Sequence, residues 1–130
     1  MKVSMESRER GAAAVEFALI ALLLISMFFA IIEGSRLFYM QASLAAAARD
    51  GAREMAIHND PTRAEAAVNN LFTPFGDVTG PTISYNPSPP DCEPGESITV
   101  IATAEAGLLT GLFGGGAVSM TGVGEMRCGG

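Results

Sequence analysis

Residues 12–32 (AAAVEFALIALLLISMFFAII) form a 21-residue apolar run, and residues 17–32 within it carry no charge. As an α-helix this run is about 31 Å long, enough to cross a bilayer hydrocarbon core of roughly 30 Å. A removable secretory signal is the competing reading. It calls for an apolar core of about 7–15 residues followed by a small-x-small cleavage site. Here the core is longer and is followed by Glu33-Gly34-Ser35-Arg36. Lys2, Arg8 and Arg10 precede the run, so the positive-inside rule predicts a cytoplasmic N-terminus. Residues 33–130 then lie outside the inner membrane.

That remainder is long enough for one small domain with a thin core, and too short for a multidomain enzyme. Its charge excludes another class. The chain holds 8 basic and 14 acidic residues, for a net charge of −6, and Lys2 is its one lysine. A nucleic-acid partner would need Lys and Arg clustered against phosphate, so none is expected. The 48% hydrophobic content argues against a disordered low-complexity chain.

Glu16 interrupts the apolar pattern. A carboxylate at mid-membrane costs about 2.5–3.5 kcal/mol on insertion scales and is a functional hypothesis by default. In the plain reading Glu16 sits near the interface and snorkels. In the sharper reading the chain is cut after Gly11, so that Ala12 becomes a new α-amine. Glu16 lies four residues further on, about 6 Å of helix rise away. An α-amine and a carboxylate are both charged at neutral pH. In a bundle of such helices Glu16 of one subunit neutralises Ala12 of its neighbour, which makes a buried carboxylate tolerable.

The basic leader, Gly11, the small residues that follow, Glu16 and Phe17 resemble a class III, type IV-like, prepilin processing site. The run from Gly11 through Ala12, Ala13, Ala14, Val15, Glu16, Phe17, Ala18 and Leu19 to Ile20 is similar to the start of the TadE-like family. These are minor pseudopilins of the tight-adherence, or Flp, pilus machinery. The likeness continues at Ile31-Ile32-Glu33, at Arg36-Leu37 and at Ala47-Ala48-Arg49-Asp50-Gly51-Ala52-Arg53. Two positions depart from the family pattern. Leu22 stands where a proline is frequent, which removes the expected cause of a kink, and Gly34-Ser35 stands where Phe-Gly is frequent. The resemblance implies a precursor cut between Gly11 and Ala12 by a dedicated prepilin peptidase. Its partners would be the membrane, that peptidase, other pilin and pseudopilin subunits, and the pilus assembly platform. Glu16 and Phe17 would register the subunit.

Beyond the span, Leu37, Met40, Leu44, Ala48, Gly51 and Met55 recur at steps of three and four, which predicts that the helix continues. Gly34, Ser35 and Gly51 weaken it locally and would permit a bend. Ala48, Ala52 and Ala56 have small-xxx-small spacing, suited to close packing either on the chain's own sheet or on neighbouring pilin helices. Asp60 and Pro61 suit a helix cap and first turn. They predict a short helix over residues 62–72 with Ala66, Ala67, Asn70 and Leu71 near one side. Residues 73–80 are turn-rich. Strands are expected at residues 82–86 (Ile83 and Tyr85 inward), at 97–105 (Ile98, Val100, Ala102 and Ala104 on one face) and at 117–128 (Val118, Met120 and Met126 on one face). Gly122 and Gly124 point to a bulge or a close backbone contact. The fold class is therefore α+β: a long N-terminal transmembrane helix extends into a small external domain with a short helix and an antiparallel sheet of about three strands. Its divisions are a leader at 1–11, a span at 12–32, a helix extension at 33–58 and an external domain at 59–130. Residues 87–94 form a stiff proline-rich loop. Residues 108–116 (LLTGLFGGG) form either an exposed apolar lip or core filling beneath a loop.

Cys92 and Cys128 both fall on the external side of this topology, where an oxidising compartment favours a disulfide. Closing that loop is worth at most roughly 4 kcal/mol in the chain-entropy model. With His58 as the single histidine and no CxxC pair, no metal site is expected. His58 reads as a solvated residue near a helix C-terminus. The Gly114-Gly115-Gly116 run lacks the Gly-Lys-Ser/Thr of a phosphate loop, and Gly34-Ser35 lacks the spacing of a nucleophile elbow. Asp50, Glu54, Asp60 and Glu65 read as solvated helix-surface acids. No catalytic constellation and no cofactor site emerges. Two functions remain: a processed minor pilin or pseudopilin, or a permanent single-pass protein whose external domain binds an envelope partner.

Overall fold

The computed structural model describes residues 3–111 and 114–129, with side chains from residue 9 onward. Lys2 and the Arg8 side chain of the basic leader, together with Leu112 and Phe113 of the apolar 108–116 loop, lie outside the described residues. The elements in chain order are α1 (Val3–His58), α2 (Pro61–Leu71), β1 (Val78–Asn86), β2 (Ser97–Gly107) and β3 (Ala117–Arg127). This is the expected α+β, pilin-like layout. The chain divides into two compact units between Gly34 and Ser35.

In the first unit α1 is apolar all round. Phe17, Leu22, Leu23, Phe28 and Ile31 are all well exposed, and none of the most apolar window is buried. A helix with no polar face suits hydrocarbon rather than water on every side. Ser26 is accommodated there because its hydroxyl donates to the Leu23 carbonyl at 2.8 Å. Residues 3–58 are one continuous helix, and Gly34, Ser35 and Gly51 do not end it.

In the second unit only one stripe of α1 is buried. Of the residues in the predicted stripe, Met40, Leu44, Ala48, Gly51 and Met55 are buried and Leu37 is half-buried, and Ala47 and Ala52 are fully covered beside them. They meet the inner face of an antiparallel sheet of order β1-β2-β3. In β2, Ile98, Val100, Ala102, Ala104 and Ala106 alternate inward with more exposed neighbours. Ala48 and Ala52 are thus spent on the chain's own core.

Three local expectations are corrected. First, α2 buries Ala64 and Val68, whereas Ala66, Asn70 and Leu71 are exposed and Ala67 is half-buried. The helix starts at Pro61, with the Asp60 carboxylate accepting from the Thr62 amide at 2.9 Å. It docks on Gly51, where an added β-carbon would come within 2.6 Å of a Val68 methyl. Second, β1 begins at Val78 instead of residue 82. A register shift between Thr79 and Thr82 takes up Gly80 and Pro81, which a strand tolerates at a sheet edge. Third, Val118, Met120 and Met126 do share one face of β3, opposite Ala106, Ala104 and Ile98 of β2, but that face is covered only at Met120, Gly122 and Gly124, while Val118 and Met126 stay exposed. The β2–β3 register runs unbroken from Ala117 to Arg127, so the glycines mark close contact and not a bulge. A β-carbon on Gly122 would collide with the Leu44 carbonyl, and one on Gly124 with the Ala48 carbonyl. The absent side chains let the α1 backbone lie directly on β3.

The far end of α1 is tied down by short-range chemistry. Asn59 adopts a left-handed backbone (φ 46°), and its amide donates to the Met55 carbonyl at 2.8 Å, which closes the helix. The Asn59 side chain donates to the Asp91 carboxylate at 2.8 Å and accepts from the Cys92 amide at 2.9 Å. Cys92 and Cys128 are joined as a disulfide with a Cα–Cα distance of 5.4 Å. One corner therefore holds the end of α1, the proline-rich loop and the end of β3.

Candidate processing segment and membrane span

Gly11, Ala12, Glu16 and Phe17 all lie on α1 and are exposed. Ala12 and Glu16 are four residues apart, so they occupy one face, one above the other. Among the described residues Glu16 has no hydrogen-bond or ion-pair partner. Gly11 has open space where a β-carbon would be. Glycine inside a helix costs about 1 kcal/mol relative to alanine. At Gly51, Gly122 and Gly124 packing accounts for that cost, but at Gly11 no contact among the described residues does. Gly34 is likewise open.

The sequence reading did not single out the buried polar anchor of the second unit. Arg36 is almost fully buried. Its Nε donates to the Phe75 carbonyl at 2.7 Å and its Nη1 to the Gly107 carbonyl at 2.9 Å. It fixes the α2–β1 loop and the end of β2 to α1. Glu33, three residues earlier on the helix, is also buried. The available signal was an i, i+3 acid–base pair immediately after a long apolar run.

The remaining titratable groups are arranged as surface pairs. Glu54 lies 3.4 Å from Arg63, its ion-pair partner, and 3.7 Å from His58 Nε2, which can pair with it when the imidazole is protonated. The Tyr85 hydroxyl donates to the Pro61 carbonyl at 3.2 Å. Burial, and to a lesser degree the Glu65 carboxylate, pushes its pKa up to about 12. Among the described residues there is no group of three or more His, Cys, Asp or Glu placed to hold a metal ion.

An exposed apolar helix long enough to cross a bilayer, followed by a one-sided α+β unit, fits a single-pass membrane protein of pilin-like layout. In the comparison with known proteins, the family model described as TadE-like protein matches residues 11–53, so that stretch of the chain is similar to this family. The match starts at Gly11 and ends at Arg53, the stretch that carries the resemblance in the sequence. No curated protein and no solved structure matches the chain.

Proposed function

We propose that this chain is a minor pilin or pseudopilin of a tight-adherence (Flp, type IVb-like) pilus system. It is made as a precursor and cut after Gly11 by a prepilin peptidase. It is held in the inner membrane by residues 12–32, with the N-terminus cytoplasmic and the second unit external, and it acts in pilus assembly and surface adherence. It is a substrate and structural subunit and not an enzyme.

The observation that carries this reading is the coincidence at Gly11. The family match begins there, the glycine packs against nothing among the described residues, and Glu16 lies one helical turn beyond the α-amine that a cut would expose. Exposed Glu16 on a lipid-facing helix has a physical reason if a neighbour's Ala12 amine neutralises it.

The test is the intact mass and N-terminal sequence of the protein from membrane and sheared-pilus fractions. The expected N-terminus is Ala12. Retention of Met1 or Met5 in cells that contain the peptidase rejects processing at Gly11 and favours a permanent single-pass anchor. A second arm uses Glu16→Ala, which should still insert in the membrane but fail to assemble. Normal pili from that variant would remove the registering role.

A further inference from the structure

At the far end of α1 a groove of about 310 Å³ opens between α1 and β3. Its walls are Arg53, Ala56 and Ile57 on the helix and Met126 and Arg127 on the strand. Ile57 and Met126 are exposed, so the floor is apolar and solvent-facing. The charges around it are unusual for so acidic a chain. Of the five arginines in the second unit, Arg36 is used internally and Arg63 is paired with Glu54. Arg49, Arg53 and Arg127 remain, and among the described residues none has a carboxylate within ion-pair distance. Arg49 is one turn before Arg53 on α1 and lies over Gly124 of β3. Arg53 and Arg127 therefore line the groove, and the Arg49 backbone lies on the same α1–β3 seam.

The complementary charge lies beside the groove. The proline-rich loop carries Asp91, Glu93 and Glu96, all exposed. Neither Glu93 nor Glu96 has an ion-pair partner among the described residues. The loop is held rigidly by the Asn59 bonds to Asp91 and Cys92, by the disulfide to Cys128, and by the Cys128 amide on the Glu96 carbonyl at 2.8 Å. Opposite charges thus lie side by side on one molecule, unpaired.

We propose that the groove docks the acidic loop, residues 91–96, of a second copy of this chain. A two-fold axis satisfies both copies at once, because adjacent groove and loop make the surface self-complementary. Pro94, which is exposed, supplies an apolar ring for Ile57 and Met126. Glu93 and Glu96 bring carboxylates to the arginines, where charge-assisted bonds are the strong ones. The loop is already ordered, so little conformational freedom is lost on docking. The contact is smaller than a standard stable interface. It becomes populated when the span confines both copies to one membrane and raises their effective concentration. The pairing does not depend on cleavage at Gly11.

The test uses full-length chains, donor- and acceptor-labelled at the C-terminus, in zwitterionic lipid vesicles. Energy transfer above the random level for the dilution is expected. It should fall to that level at about 1 M salt, where the Debye length is about 3 Å. The Arg53→Glu/Arg127→Glu variant and the Glu93→Arg/Glu96→Arg variant should each weaken pairing at least about tenfold. An equimolar mixture of the two should restore it. Retention of the disulfide mobility shift on a non-reducing gel checks that each variant is folded. Random-level transfer by the native chain overturns the proposal. So does transfer that persists in both variants, which places association in the span, or a mixture that does not recover.

Discussion

The two halves of α1 are built from the same kinds of residue and are put to opposite uses. From residue 12 to residue 32 the apolar side chains point in every direction, and Phe17, Leu22 and Leu23 are exposed. From residue 40 to residue 55 they form a single stripe, and Met40, Leu44, Ala48 and Met55 are fully buried. Apolar content alone does not separate these cases, but its periodicity does. A helix that is apolar all round needs an apolar solvent, whereas a striped helix needs one partner surface. Here the partner surface is the three-stranded sheet. The glycines divide in the same way: Gly11 and Gly34 face open space, while Gly51 and the β3 glycines admit a backbone.

The sharpest way to break this comparison is to place one charge on each half. Leu44→Asp puts a carboxylate in a fully buried site with no donor, at a cost of several kcal/mol. A domain this small is stabilised by only about 5–15 kcal/mol, so cooperative unfolding of the second unit should be severely weakened or lost. Leu23→Asp should leave the melting of that unit unchanged and instead reduce membrane insertion, by about 2.5–3.5 kcal/mol on insertion scales. Thermal melting followed by circular dichroism reads the first effect, and alkaline extraction of membranes reads the second. Equal loss of folding in both variants would mean that the two halves are not distinct.

A smaller effect is expected from placing one side chain at two glycines. Gly124→Val drives a branched side chain into the Ala48 carbonyl, where backbone and not a flexible side chain must give way. Overpacking of this kind costs typically about 1–3 kcal/mol and occasionally more. The melting temperature of the second unit should drop by several degrees. Gly11→Val meets open space and should not move that melting temperature. Its expected effect is on processing alone, read as retention of the leader by intact mass. A stable Gly124→Val protein would show that α1 can lift off β3 at little cost.

The span, the striped extension and the alternating face of β2 were legible in the sequence because each is a periodicity imposed by a single environment. The disulfide was legible because only two cysteines exist and both fell on one side of the predicted membrane. What could not be read are the places where the partner decides. The buried face of α2 depends on Gly51 of α1, so Ala64 and Val68 are chosen by docking and not by the hydrophobicity of α2. In β3 the face was legible from Val118, Met120 and Met126, but its closest contacts with α1 are at Gly122 and Gly124, which carry no hydrophobic signal. Gly80-Pro81 looked like the end of a turn because the bulge that absorbs it is a property of the β1–β2 pair. In the site, Gly11, Ala12 and Glu16 were visible as spacing. Arg36 was not, because its acceptors are backbone carbonyls 39 and 71 residues away.

The smallest expected effect tests how firmly α2 is held on the striped side. The Tyr85 hydroxyl bonds to the first residue of α2 and has its pKa raised to about 12 from an ordinary value of 10.0, through burial first and the Glu65 carboxylate second. The folded state therefore keeps the phenol proton at pH values where the unfolded chain has released it. Between pH 10 and pH 12 the unfolded state binds fewer protons, so stability falls as pH rises through that window. Below pH 10 the contribution is fully present and flat. Tyr85 is only half-buried, so solvent screening keeps the effect modest. Tyr85→Phe should remove this component of the alkaline slope, at the cost of one hydrogen bond, about 1 kcal/mol. Denaturant midpoints measured from pH 9 to pH 12 for both proteins give the difference directly. Parallel curves would mean that the phenol titrates alike in the folded and unfolded states, and coincident curves that its bond to Pro61 does not hold α2 against the sheet either.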